Sequence, residues 1–171
     1  MSGPVSQGIP SNPVLDRLER LVGEIGDLQS KLILLVGNGG KTRLLRTLAQ
    51  RLNVAPFNLG VELGHRLAAT PVSERGFSAN ELLRELTDSA RGDAPLMLDN
   101  IEVLFEPSLK INPLDLIKRL AHSRRVVAVW PGEMRDDRLV YASMGHPEYR
   151  DYTRDGVVVF ETAQGQQGTR T

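Results

Sequence analysis

The sequence predicts an α/β fold, in which a parallel sheet of about five strands lies between layers of helices. Short, unbroken apolar runs are typical of strands that are buried on both faces. These runs alternate with longer segments of helical periodicity, and such alternation indicates a parallel sheet covered on both sides. The five predicted strands are 31–36, 56–60, 95–99, 125–130 and 157–160.

Two predicted helices share a start signal, an asparagine followed directly by proline. Asn12 and Pro13 begin the first of them, and Asn112 and Pro113 begin the other. Asparagine can cap the free N–H groups of the first turn, and proline suits the first helical position because its fixed φ is already helical. Apolar residues at helical spacing follow both signals and also fill the segment after the first strand, 41–52.

Two further helices are predicted between the second and third strands. One covers 61–69, and the other covers 79–90 with Ser78 as its cap and Glu81 completing a capping box. The segment 133–155 is polar and is predicted to be irregular, with a short helix around Glu148.

The length and composition indicate one domain. The chain has 171 residues, and lysine plus arginine balance aspartate plus glutamate at 21 each. We predict a flexible arm at 1–12, a single domain at 13–162 and a flexible tail at 163–171.

The same composition excludes several classes of function. Zero net charge disfavours a dedicated nucleic-acid-binding domain, and the absence of cysteine excludes disulfides and thiolate metal sites. The longest apolar run, Leu32–Val36, is far too short to span a bilayer, and the first residues lack a signal-peptide pattern. We therefore expect a cytoplasmic protein that makes no membrane contact.

The segment between the first strand and the helix 41–52 is rich in glycine. Such a loop can curl its N–H groups around a phosphate, and the helix that follows adds the positive end of its dipole. Lys41 would reach the β- and γ-phosphates of ATP, and the hydroxyl of Thr42 would bind Mg²⁺. The predicted nucleotide-binding residues are Gly37, Asn38, Gly39, Gly40, Lys41, Thr42 and Arg43.

This loop is shorter than the usual P-loop. The usual motif has its first glycine five positions before the glycine that precedes the lysine, and Leu35 stands at that position. The loop begins instead at Gly37, and offers fewer N–H groups to the phosphates. Phosphate binding is therefore predicted more firmly than hydrolysis.

A carboxylate ends the third predicted strand. Asp99 would lie at the same edge of the sheet as the loop, where it would hold Mg²⁺ together with Thr42. ATPases of this type often have a glutamate directly after the aspartate, but this chain has Asn100 there. Glu102 is the nearest substitute and is the predicted catalytic residue, which would position the attacking water.

An arginine often completes sites of this kind. Arg124 and Arg125 precede a strand and are expected at the opposite edge of the sheet. Arg135, Arg138 and Arg150 follow that strand and are expected nearer the phosphates, although surface solubility is the default interpretation of each.

Several segments together resemble a known family. They are LILLVG…GKTRLLRTLA, PFNLGVELGHRL, LMLDNIEVLF…NPLDLIKRLAHSRRVVAVWPG and YASMGHPEYRDY. Over nearly the whole chain they look like BrxF, the small P-loop ATPase-like component of type III BREX (bacteriophage exclusion) systems. The resemblance implies a P-loop NTPase-like fold and partnership with other BREX components. It also implies phosphate binding by Lys41 and Thr42, and a role beside Mg²⁺ for Asp99.

Three hypotheses remain open at this stage. The first is a subunit of a phage-defence complex that binds and hydrolyses ATP. The second is a nucleotide-sensing or scaffold subunit with negligible hydrolysis, and the third is a DNA-binding accessory protein. A homo-oligomer is compatible with all three hypotheses, because small P-loop domains often complete their sites between subunits.

Overall fold

A computed structural model describes residues 12–28, 31–37, 39–89, 93–142 and 150–162. Most of the predicted arm, the predicted tail, the predicted helix around Glu148 and the loop residue Asn38 lie outside these ranges. The described helices are α1 Pro13–Glu24, α2 Lys41–Leu52, α3 Leu59–Ala68, α4 Arg75–Ser89 and α5 Pro113–Ser123. The strands are β1 Leu32–Val36, β2 Phe57–Asn58, β3 Leu96–Asp99, β4 Val126–Val129, β5 Glu133–Arg135, β6 Arg138–Tyr141, β7 Arg150–Thr153 and β8 Val158–Glu161.

The predicted five-stranded parallel sheet is confirmed. Its order is β2-β3-β4-β1-β8, and every neighbouring pair runs parallel. From β1 the chain crosses to the far edge at β2, and it then returns strand by strand to β4. The last crossing passes over β1 to β8. The connections that leave β1 and β4 therefore run in opposite directions, and this switch point opens a crevice outside their carboxyl ends.

Helices cover both faces of this sheet. Alternate residues of β1 belong to two different cores, because successive side chains of a strand point to opposite faces. Ile33 and Leu35 pack with α1 and α2, whereas Leu32, Leu34 and Val36 pack with α3, α4 and α5. All five residues are at most 1% exposed. Burial on both faces explains the unbroken apolar run.

Both asparagine–proline signals begin helices as predicted. The Asn12 side chain accepts a hydrogen bond from the Leu15 N–H at 3.1 Å, and the Asn112 side chain accepts one from the Asp115 N–H at 3.0 Å. Each asparagine therefore satisfies a free N–H of the first turn.

The predicted start of α4 was wrong. The helix begins at Arg75, so Ser78 lies inside it and does not cap it. The first turn contains Gly76, where a Cβ atom would come within 2.5 Å of the Leu109 carbonyl oxygen. This turn packs through its backbone, and the apolar pattern from Ala79 onward gave no sign of it.

The segment 133–155 was wrongly predicted to be irregular. Its described part forms a three-stranded antiparallel sheet in the order β5-β6-β7. The turn between β5 and β6 is Asp136–Asp137, and both residues have positive φ, at 52° and 64°. Two positive φ values are typical of a tight hairpin turn, but aspartate marks such a turn less clearly than glycine does. β5 and β7 are also short and mostly polar, and β6 has only three consecutive apolar residues, too few to stand out as a strand.

Candidate functional site

The loop after β1 depends on glycine geometry. Gly37 has φ 142° and Gly40 has φ 75°, both in a region that other residues rarely adopt. A Cβ atom at Gly39 or Gly40 would meet nothing within 4 Å, so open space lies over the loop. The residues around this open depression are Gly39, Gly40, Lys41, Thr42 and Arg43. The predicted phosphate site is therefore accessible at every described position.

The Lys41 side chain is half-buried between the loop and the end of β4. Its Nζ donates to the Trp130 carbonyl oxygen at 2.6 Å and lies 3.4 Å from the Gly132 carbonyl oxygen. Burial lowers the pKa of Lys41 below its usual 10.5, while the negative charges of Glu102 and Glu133 raise it in part. The ammonium group therefore lies at the crevice between β1 and β4, with two carboxylates close enough to influence it.

Thr42 and Asp99 meet at the start of α2. The Thr42 hydroxyl donates to Asp99 Oδ1 at 3.1 Å, and the Asn100 N–H donates to the same oxygen at 2.9 Å. Asp99 is 6% exposed and is the one buried charged side chain among the described residues. The structure thus brings together the two residues that were predicted to hold Mg²⁺.

A hydroxyl and a carboxylate are oxygen ligands of the kind that Mg²⁺ prefers. In the described ranges, no group of three or more histidine, aspartate or glutamate side chains could hold a metal ion by itself. Mg²⁺ is usually bound through one or two protein oxygens, with phosphates and waters filling its other positions. The donor set fits a cation that arrives with a nucleotide.

Glu102 lies on a short 3₁₀ turn, Ile101–Phe105, directly after β3. Its side chain is exposed, and its charge acts on Lys41. Asn100 precedes this turn in the left-handed conformation, with φ 53°. The chain thus changes direction just after β3, and Glu102 lies close enough to the site for its charge to act on Lys41.

Thr162 was missed by the sequence reasoning. Its N–H donates to the Val36 carbonyl oxygen at 2.8 Å, and its hydroxyl lies 3.2 Å from the carbonyl oxygens of both Val36 and Gly39, either of which can accept its one proton. Thr162 therefore fastens the glycine loop to the end of β8. A signal existed, since a threonine two residues after the last apolar run could lie beside this loop. Using it would have required knowing that β8 neighbours β1.

Arg124 and Arg125 lie at the edge opposite the loop, as predicted. Arg124 donates to the Ala94 carbonyl oxygen at 2.9 Å, and Arg125 donates to the Val22 carbonyl oxygen at 3.0 Å. Arg124 thus holds the connection that enters β3, and Arg125 holds the last turn of α1, so neither can reach a phosphate on the loop.

Two of the three arginines that were expected nearer the phosphates form ion pairs within the small sheet. Arg135 pairs with Glu133, and Arg138 pairs with Asp151 at 2.7 Å. Arg43 is exposed on the first turn of α2 and lines the depression. Of the described arginines, Arg43 thus has the most direct access to a bound phosphate.

No protein-family model matches the chain, and comparisons with curated proteins and with solved structures also give no match. Within the described residues, none of the helices combines the length and the apolar character needed to span a membrane.

Proposed function

We propose that this chain binds the phosphates of ATP, with Mg²⁺, on the loop that runs from Gly37 to Thr42. One observation carries the proposal: the Lys41 ammonium group and the bonded pair Thr42 and Asp99 converge at the carboxyl ends of β1, β3 and β4. Ligands of open α/β sheets bind at such edges, beside the switch point. The open glycine loop and the start of α2 supply N–H groups at the same place.

The architecture supports a P-loop NTPase-like three-layer sandwich. The glycine loop follows the inner strand β1, and the carboxylate follows β3, with β4 between these two strands. This arrangement gives phosphate and metal separate protein partners on neighbouring elements. Lys41 would neutralise the phosphate charge, while Thr42 and Asp99 would orient Mg²⁺ and its waters.

Hydrolysis would use Glu102 to orient the attacking water. The side chain is exposed at the rim of the site, and its charge reaches Lys41. A general base must come within hydrogen-bond distance of the water, directly or through one further water. Glu102→Gln should then abolish phosphate release and leave ATP affinity unchanged. The matched control is Glu106→Gln, because Glu106 is an exposed glutamate that follows the same turn.

A second candidate is nucleotide sensing with negligible turnover. It is favoured by Asn100, whose left-handed backbone stands where a catalytic glutamate often follows the aspartate. The shortened loop points the same way. Unchanged phosphate release in Glu102→Gln would remove Glu102 from the mechanism. No release by the wild type, despite ATP binding, would support the sensing role.

The cellular setting is proposed from the resemblance to BrxF alone. It would make the chain a cytoplasmic component that acts with other BREX proteins against bacteriophage, either as a single copy or as a homo-oligomer. The DNA-binding alternative gains no support from charge, since acidic and basic residues are equal in number.

The direct test is calorimetric titration of the purified chain with ATP and Mg²⁺, beside Lys41→Ala. Lys31→Ala is the matched control, because Lys31 lies at the opposite edge of the sheet and donates to the His122 carbonyl oxygen. Circular dichroism should first confirm that both variants are folded. Binding by the wild type and by Lys31→Ala, but not by Lys41→Ala, would support the proposal. Absence of binding by the wild type would contradict it for the isolated chain.

A further inference from the structure

Among the described residues, the Lys41 ammonium group donates to backbone oxygens and to no side chain. An ammonium group has three donors and no acceptor. Two of them are directed to the carbonyl oxygens of Trp130 and Gly132, at 2.6 and 3.4 Å. One donor is left for a phosphate oxygen on the loop. The position of Lys41 thus depends on where the turn after β4 places its carbonyl groups.

Close packing of Gly132 against β6 fixes the position of one of these carbonyl groups. A Cβ atom at this position would lie 1.7 Å from the Val140 carbonyl oxygen and 3.0 Å from the Tyr141 Cα. No side chain can occupy that space without moving the backbone. Glycine therefore allows the turn to press directly against β6, and any other residue would displace the turn.

Trp130 binds the same atom of β6 by a different contact. Its Nε1 donates to the Val140 carbonyl oxygen at 3.1 Å, and the side chain is fully buried. The indole ring also packs edge-on against Phe105 and Tyr152, with ring centroids 5.5 and 5.8 Å apart. Hydrogen bonding and ring packing leave little freedom for the Trp130 backbone, including the carbonyl oxygen that accepts from Lys41.

From these contacts we infer that Trp130 and Gly132 are positioning residues for Lys41, and that the Val140 carbonyl oxygen anchors both of them. The small sheet β5-β6-β7 is then part of the phosphate site, although none of its described residues lines the open depression. The inference rests on the proposed function for its role in binding, but the placement of Lys41 can be measured without any nucleotide.

The first measurement is the exchange rate of the Lys41 ammonium protons, followed by nitrogen-15 NMR in the absence of nucleotide. The signal is assigned by its disappearance in Lys41→Ala. In the wild type it should exchange more slowly than the signal of an exposed lysine. Trp130→Phe removes the indole N–H but keeps an aromatic ring, and should raise the exchange rate about fivefold, the factor that one neutral hydrogen bond is worth.

Gly132→Ala is the stronger variant and should abolish the protection. Gly23→Ala is its matched control, since Gly23 lies exposed in α1 and a Cβ atom there meets nothing within 4 Å. If Gly132→Ala does not fold, the wild type and Trp130→Phe decide the question alone. ATP affinity is measured on the same samples and should fall in parallel with the loss of protection.

The outcomes separate this inference from the proposed function. Suppose that the two variants lose the protection of the Lys41 protons and that the wild type binds no ATP. This result would support the placement of Lys41 and contradict the proposed function. A wild-type Lys41 that exchanges like an exposed lysine would overturn the inference. Wild-type exchange and wild-type ATP affinity in Trp130→Phe and Gly132→Ala would also overturn it, while the proposed function would stand.

Discussion

The hydroxyl of Thr42 and the carboxylate of Asp99 share a hydrogen bond of 3.1 Å between the first turn of α2 and the end of β3. The two residues are 57 positions apart in the chain. Parallel strands bring them together because their carboxyl ends lie at one edge of the sheet. These two side chains would hold a cation there, and the cation would supply positive charge beside the phosphates.

Asp99→Asn tests this cation site. The amide keeps the shape of the side chain but lacks the negative charge that attracts Mg²⁺. We expect the Mg²⁺-dependent part of ATP affinity to fall about 10- to 100-fold, and the affinity measured without Mg²⁺ to change little. Calorimetry with and without Mg²⁺ measures both. Asp155→Asn, at an exposed turn, is the control, and equal Mg²⁺ dependence in the two variants would contradict the assignment.

The lowered pKa of Lys41 predicts how ATP affinity depends on pH. The charged ammonium form binds phosphate, and burial lowers the pKa below 10.5. Affinity should therefore be lost as the pH rises through that lowered pKa, at a lower pH than for an ordinary lysine. Lys41→Arg stays charged throughout this range and should give a flat profile. ATP affinity is measured for both proteins between about pH 7 and 10. If the wild type and Lys41→Arg lost affinity in parallel, Lys41 would be excluded as the group responsible.

The backbone conformation of Asn100 disfavours a catalytic glutamate at this position. Its backbone is left-handed, and its Cβ lies 3.3 Å from the Cβ position that an alanine at Gly60 would have. Asn100→Glu should lower the free energy of unfolding by about 1–2 kcal/mol, because glutamate tolerates this conformation poorly. It should produce no gain in phosphate release. Asn100→Gly accepts the conformation and serves as the control in urea unfolding. Faster hydrolysis by Asn100→Glu would show that the turn can reorient.

Thr162 predicts a link between the end of β8 and the loop. Thr162→Val keeps the shape but removes the hydroxyl that donates to Val36 or Gly39. The free energy of unfolding should fall by about 0.5–1.5 kcal/mol, and ATP affinity should fall because the loop loosens. Thr162→Ser retains the hydroxyl and should restore most of both. Urea unfolding and calorimetry measure the two effects. A valine variant with wild-type stability and wild-type ATP affinity would contradict this link.

The parts of the fold that follow from local pattern were predictable from the sequence. Strands buried on both faces produce unbroken apolar runs, so β1, β3 and β4 were located, and with them the glycine loop and Asp99. The asparagine–proline pairs located α1 and α5 for an equally local reason. The small sheet was not predictable, because its strands are short, with few apolar residues in β5 and β7, and its hairpin turn is built from Asp136 and Asp137.

The candidate site was predictable only in part. Residues whose side chains would touch the nucleotide stand in a recognisable motif, and Lys41, Thr42 and Asp99 were found in this way. Other residues hold the motif in place from distant parts of the chain. They could not be predicted, because their proximity to the motif depends on strand order, which no local sequence pattern shows. Thr162 and Gly132 belong to this second group.

The end of β4 has a consequence for how this protein can diverge. The acceptors for Lys41 are main-chain oxygens, which every amino acid possesses, so homologues need not keep any particular functional group there. Selection would act on the contacts that place these oxygens, by retaining the indole ring and N–H at Trp130 and the absence of a side chain at Gly132. Substitutions at Pro131 would be tolerated if they kept the path of the chain. Such a constraint is hard to detect in a sequence, even though it determines the position of the Lys41 ammonium group.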